Sequence, residues 1–118
     1  MYNLILDTDF LLHSVRNKVD IFSELKRICN FPYKLCIFDM TLNELKGKKD
    51  EKIALSFIKN RVNIIKTKQD KKVDDLILDQ KNIAVCTNDK LLKEKLKKGS
   101  IPVITLRQKK YLVIENVL

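Results

Sequence analysis

Hydrophobic and polar positions alternate between two periods along this chain. Tyr2-Asn3-Leu4-Ile5-Leu6 is a continuous apolar run that stops at Asp7, the mark of a strand buried on both faces and therefore of a parallel sheet covered by helices. Asp9 to Arg16 then reads as a short helix with an acid near its start. Val19 to Cys29 carries Ile21, Phe22, Leu25, Ile28 and Cys29 at helical spacing, so it predicts a second helix with one buried stripe. Phe31-Pro32 interrupts that helix. Lys34 to Phe38 is the next strand and ends at Asp39.

The pattern then repeats. Thr41 and Glu44 have the spacing of a capping box, and Gly47 closes the helix they open. Glu51 to Arg61 is amphipathic and feeds a third strand, Val62 to Ile65. Asp70 to Leu78 reads as the start of a helix with acids in its first turns, ended by Asn82. Ile83 to Cys86 is a fourth strand, Lys90 to Lys98 a helix stopped by Gly99-Ser100, and Ile101 to Leu106 and Tyr111 to Ile114 are the last strands. Strands alternating with helices of this length imply right-handed crossovers. The fold class is α/β, a three-layer α/β/α sandwich with a central, mainly parallel sheet, whose strand order these patterns leave open.

Length and composition narrow the picture. With 118 residues, 45% of them hydrophobic, the chain has material for one core. Two Gly and two Pro leave little for a linker. Cys29, Cys36 and Cys86 include no CxxC pair, and Cys36 and Cys86 sit in apolar runs where a thiol acts as a small buried hydrophobe, so neither zinc nor a disulfide framework is indicated. No signal-like segment opens the sequence and no apolar run could span a bilayer, which gives the expectation of a soluble cytoplasmic protein without a membrane partner.

Charge adds a candidate partner. Lys and Arg number 24 against 15 acids, for a formal net charge of +9, and such an excess attracts polyanions. A lysine-rich surface of no special purpose explains the total equally well. Lys46, Lys48, Lys49, Lys90, Lys93 and Lys97 are the candidate nucleic-acid contacts, although a run such as Lys93 to Lys98 is more often a solvated helix face.

The acids point the other way. Asp7 and Asp89 each follow an apolar strand, Glu44 lies early on a helix, and Asp74 and Asp75 open another. In a parallel sheet the strand-end acids share one rim, where ligands of such sheets bind. Taken singly, Asp9, Glu44, Asp74 and Asp89 are each explained as helix caps or first-turn acids. Together they repel one another unless a cation holds them. A hard divalent ion such as Mg2+ or Mn2+ takes oxygen ligands and a few carboxylates, and can activate water for displacement at a phosphodiester.

These residues resemble the PIN domain family of metal-dependent ribonucleases. The likeness rests on Leu6-Asp7-Thr8-Asp9-Phe10-Leu11 at the end of the first strand, Thr41-Leu42-Asn43-Glu44-Leu45 on an early helix, Val73-Asp74-Asp75-Leu76-Ile77 opening a later one, and Cys86-Thr87-Asn88-Asp89 after the next strand. It spans nearly the whole chain in the expected order and implies a single PIN-like domain over residues 1–118. The stretch from Val85 to Lys93 with Gly99 to Ile104 looks most like the archaeal and eukaryotic branch tied to ribosomal RNA processing.

The resemblance implies a Mg2+- or Mn2+-dependent endoribonuclease acting on single-stranded RNA. Asp7, Glu44, Asp74 and Asp89 take the catalytic, metal-holding positions, with Asp75, Thr87, Asn88 and Asp9 in support. It implies RNA as substrate, ribosomal precursor RNA or the target of an antitoxin-controlled toxin among the candidates, and a homodimer. Asp7-Thr8-Asp9 also suits haloacid dehalogenase-like phosphatases, but that assignment leaves Glu44 without a role. A non-catalytic RNA-binding module is the remaining alternative. His13, alone on an apolar helix start, reads as a packing residue, and Tyr33 and Tyr111 as residues at the edge of the core.

Overall fold

The computed structural model describes residues 1–59, 61–66 and 82–115. Its sheet contains β1 (Tyr2–Leu6), β2 (Tyr33–Phe38), β3 (Asn63–Ile65), β4 (Ile83–Cys86), β5 (Val103–Arg107) and β6 (Tyr111–Glu115), in the order β3-β2-β1-β4-β5-β6. All pairings are parallel except the last, an antiparallel β5-β6 hairpin. The order reverses between β1 and β4. At such a switch point the connections leaving the two strands diverge to opposite sides, and a crevice opens beyond their carboxyl ends.

Alternation of side chains along each strand builds a core on either face of the sheet. Leu4, Leu6, Leu35, Ile37, Ala84, Cys86, Ile104 and Leu106 point to one face, where Phe10, Leu11 and Leu12 of α1 (Thr8–Arg16), Ile21 and Leu25 of α2 (Ile21–Ile28), Leu45 of α3 (Asp39–Leu45) and Ala54 and Ile58 of α4 (Glu51–Ile58) cover them. Ile5, Cys36, Phe38, Ile83, Val85 and Val103 point to the other and meet Leu92 and Leu96 of α5 (Lys90–Lys98). The strands that read as continuous apolar runs are therefore buried on both sides, as their composition requires. No described helix is long and apolar enough to cross a membrane.

Several boundaries differ from the sequence reading. The helix after β2 starts at Asp39, with Phe38 as its N-cap, so Thr41 lies inside the helix and is no cap. Its hydroxyl is buried without a hydrogen-bond partner among the described residues. The capping-box spacing from Thr41 to Glu44 therefore arises from residues with other neighbours: Thr41 faces the core, and Glu44 reaches across to α1. α2 begins only at Ile21, because Asp20 accepts from the Ser23 amide and hydroxyl and fixes the start there. The helix expected from Asp70 to Leu78 lies outside the described residues.

Candidate active site at the switch point

Register places the first two site segments side by side. Leu6 is paired with Cys86, and the Asp7 amide donates to the Cys86 carbonyl at 3.0 Å. The next residues, Asp7 and Thr87, therefore leave the sheet together at its carboxyl edge. Asp7 occupies the N-cap position of α1 in extended conformation, yet its side chain does not cap the helix. It accepts instead from the Thr87 hydroxyl, Oγ1 to Oδ2, at 2.8 Å.

Thr87 is fully buried and acts in both directions. While donating to Asp7, its Oγ1 accepts from the Asp89 amide at 3.1 Å. One hydroxyl thus fixes the Asp7 carboxylate and the turn that presents Asp89. Asp89 is a true N-cap, its Oδ1 accepting from the Leu92 amide at 3.1 Å. The helix-cap explanation is correct for this residue, but it uses one oxygen of a carboxylate that also lines the cleft beside Asp7.

Asn88, between them, holds the floor. Its amide group donates to the Leu106 carbonyl at 2.8 Å and accepts from the Leu106 amide at 2.9 Å, continuing the β4-β5 pairing by a side chain where the backbone has diverged. The resulting cleft, about 600 Å³ in volume, is lined by Asp7, Asp9, Asn88 and Asp89, by Phe10 and Leu106 beneath, and by His13, Gln108 and Lys109.

The fourth described acid joins from the side. Glu44 is exposed on α3 and its Oε1 accepts from the hydroxyl of buried Thr8 at 2.8 Å. Thr8 follows Asp7 directly, so Glu44 is tied to the site through one hydroxyl, while it does not itself line the cleft. Asp74 and Asp75 lie outside the described residues. Among the described residues no three of His, Cys, Asp and Glu stand close enough to form a closed metal cluster.

The donor set still suits a hard divalent cation. It consists of carboxylates and a hydroxyl, with the three buried or half-buried thiols elsewhere in the fold, and a small ion that keeps several waters is commonly held by only one or two carboxylates. Burial pushes the Cys29 thiol up to about 11 and the Cys86 thiol far above its ordinary value, so neither offers a thiolate ligand near neutral pH.

The structure reassigns several residues. His13 is exposed and lines the cleft, not the core. Asp9 and His13 are four residues apart on α1, a spacing that puts both on one helix face; that signal was present in the sequence. Lys93 and Lys97 are engaged with Glu115, at 3.7 and 3.5 Å, and do not line the cleft. Lys46, Lys48 and Lys49 follow α3 on exposed chain, and Lys90 is exposed at the start of α5. Gln108 and Lys109 had no motif to betray them, although β5, being parallel to β1, had to deliver its following turn to the rim of Asp7; Thr8 stood inside the Asp7-Thr8-Asp9 motif, its bond to Glu44 not visible there.

Comparison with known proteins agrees with this geometry. The PIN like domain family profile matches residues 4–109. "Ribonuclease VapC4" of Methanocaldococcus jannaschii is 33% identical over 127 aligned positions, which cover 97% of each chain. The solved structure of "the PIN domain endonuclease Utp24" superposes with a TM-score of 0.83 at 28% identity, covering 99% of this chain and 93% of that one. Nucleases with this domain generally depend on divalent metal ions. With a family profile matching residues 4–109 and a ribonuclease relative 33% identical over 97% of each chain, the chain belongs to the PIN like domain family.

Proposed function

We propose that the protein is a metal-dependent endoribonuclease that hydrolyses phosphodiester bonds in single-stranded RNA. The observation that carries this reading is the convergence of Asp7 and Asp89 on one cleft through the shared Thr87 hydroxyl. The similarity to proteins named as a ribonuclease and a PIN domain endonuclease supports the reaction class.

Asp7 and Asp89 would hold Mg2+ or Mn2+, with Asp74 as a further ligand and Glu44 joining through its place beside Thr8. Such an ion, when bound, lowers the pKa of a water and offsets charge developing on the phosphoryl oxygens. Thr87 fixes the carboxylate of Asp7, so that little reorganisation is needed when substrate arrives. Asn88 keeps the β5 end, and with it one wall of the cleft, at constant distance from Asp89. Asp9 and His13 face the incoming strand from α1. No side chain is needed as a covalent nucleophile, and Glu44, tied to the site through Thr8, would add a ligand or orient the water.

The test is cleavage of a labelled single-stranded RNA by the purified protein with Mg2+ or Mn2+, with and without chelator. Internal cleavage that stops on chelation and is absent in Asp7→Asn supports the assignment. Hydrolysis of a small phosphomonoester through an aspartyl-phosphate, or salt-sensitive RNA binding with no turnover under either ion, would instead select the phosphatase or the binding module. The likeness of Val85 to Lys93 to ribosomal RNA processing proteins favours precursor ribosomal RNA as substrate, and its accumulation on depletion of the protein is the corresponding measurement.

A further inference from the structure

The β5-β6 turn is built from residues poorly suited to it. Gln108 and Lys109 both have positive φ, 52° and 55°, and the Lys110 amide closes onto the Arg107 carbonyl at 3.0 Å. With Arg107 paired to Tyr111, residues Gln108 to Lys110 form a three-residue turn whose first two residues are left-handed, a conformation that Gly and Asn favour. Long side chains at both positions strain the backbone, and both are exposed, so packing in the core gives nothing in return. Strain of this kind persists where the surrounding structure enforces it and gathers at functional sites.

The surroundings do enforce it. Glu115, at the far end of β6, bonds Arg107 at 2.9 Å and lies within 3.7 Å of Lys93 and 3.5 Å of Lys97, clamping the hairpin to α5. On the other face Glu24 accepts from the Leu112 amide at 2.9 Å while Arg27 donates to the Leu112 carbonyl at 3.0 Å, clamping β6 to α2. The tip is thus held from two sides and directed to one place: Gln108 and Lys109 line the same cleft as Asp7, Asp9 and Asp89. Among the described residues Lys109 is the lysine of that lining, whereas Lys93 and Lys97 serve the clamp.

We propose that Lys109 is a substrate-binding residue of the cleft, its ammonium contacting a backbone phosphate of the single-stranded RNA next to the bond that is cut, with the strained turn serving to present it. The inference rests on the nuclease reading and names a substrate contact within it. A strand entering a pocket of carboxylates is repelled, and a cation on the wall facing them lowers that repulsion and sets the register of the strand against the acids.

The experiment measures binding of a labelled single-stranded RNA against salt concentration, by anisotropy in the Asp7→Asn background with Mg2+ present, for Lys109 and for Lys109→Gln, Lys109→Arg and Lys109→Asn. Loss of one charged phosphate contact should weaken binding about tenfold and flatten the slope of log K against log salt by about 0.7. Lys109→Arg should keep both. Lys109→Asn, which suits positive φ, should fold at least as stably as the parent and bind as weakly as Lys109→Gln.

Unchanged affinity and slope in Lys109→Gln, or full binding in Lys109→Asn, would overturn the proposal, as would a parent that binds no RNA. Cleavage assays of the chain with Asp7 intact separate the two readings. If that protein cuts RNA and Lys109→Gln cuts it equally well, only the lysine assignment falls. If it cuts nothing with any divalent ion, yet RNA binding follows Lys109, the reaction falls and the contact stands.

Discussion

Thr87 and Asp7, 80 residues apart in sequence, are joined by a 2.8 Å hydrogen bond between hydroxyl and carboxylate, and the same hydroxyl receives the Asp89 amide. The bond exists because β1 and β4 are adjacent and in register at Leu6 and Cys86. Strand pairing therefore places the two candidate site segments, and a single buried hydroxyl sets their relative orientation.

Thr87→Val keeps the shape of the side chain and removes both hydrogen bonds. Partners that orient a metal-binding side chain commonly contribute 10- to 100-fold, so RNA cleavage at saturating metal should fall by about that factor. Thr87→Ser should retain most of the activity. The check is kcat for the three proteins alongside thermal unfolding, where Thr87→Val should cost about 1–3 kcal/mol for the two hydrogen bonds it removes.

Glu44 can act by charge or merely as the acceptor for Thr8, and two substitutions distinguish these. Glu44→Gln keeps an oxygen for the Thr8 hydroxyl and removes the charge; Thr8→Val keeps the charge and removes the bond at 2.8 Å. If Glu44 orients water or holds metal, Glu44→Gln should lower kcat by about 10- to 100-fold and raise the metal concentration for half activity, with a smaller loss in Thr8→Val. A Thr8→Val protein as impaired as Glu44→Gln would make the hydrogen bond the whole of the effect.

The hairpin clamp should be acid-labile. The bond to Arg107, with Lys93 and Lys97 adding attraction, holds the Glu115 carboxyl below its ordinary value of 4.5, and Arg27 with the Leu112 amide does the same for Glu24. Because the folded values are depressed, the stabilisation is complete above the unfolded value and disappears as pH falls through the folded one. The difference in Tm between the parent and Glu115→Gln should be present at pH 7 and shrink below pH 4.5. A gap that widened in acid would contradict the assignment.

The architecture was legible wherever burial on both faces left a continuous apolar run: β1, β2 and β4, and the helices α1 to α4 between β1 and β3, stand where the sequence places them, within a few residues. Strand order was not, since nothing in Tyr2 to Leu6 says which neighbours it takes. The acids after β1 and β4 were legible for the same reason as the strands, as polar residues ending apolar segments. His13 was misread because an apolar neighbourhood in sequence says little about one position on a helix face. The bond of Thr8 to Glu44 and the place of Lys109 on the cleft wall were invisible because both arise from tertiary partners. That Lys93 and Lys97 sit beside Glu115 and outside the cleft lining was not legible, because Glu115 lies in a strand that propensity could not place next to α5.

Asn88 gives the sharpest test of the cleft floor. Its side chain donates to the Leu106 carbonyl and accepts from the Leu106 amide, so the two functions of an amide are both used, on opposite poles of one peptide position. Asn88→Asp is nearly isosteric but replaces the donor by a second acceptor, setting a carboxylate oxygen against the Leu106 carbonyl 2.8 Å away. The lost bond and the repulsion together should cost about 2 kcal/mol, and β5 should draw away from Asp89, widening the cleft. Asn88→Ala loses both bonds without the repulsion and should be the milder of the two. Thermal unfolding ranks the variants, and amide exchange at Leu106 reports the local opening. Equal stability of Asn88→Asp and the parent would mean that the side chain does not bridge the strands in solution.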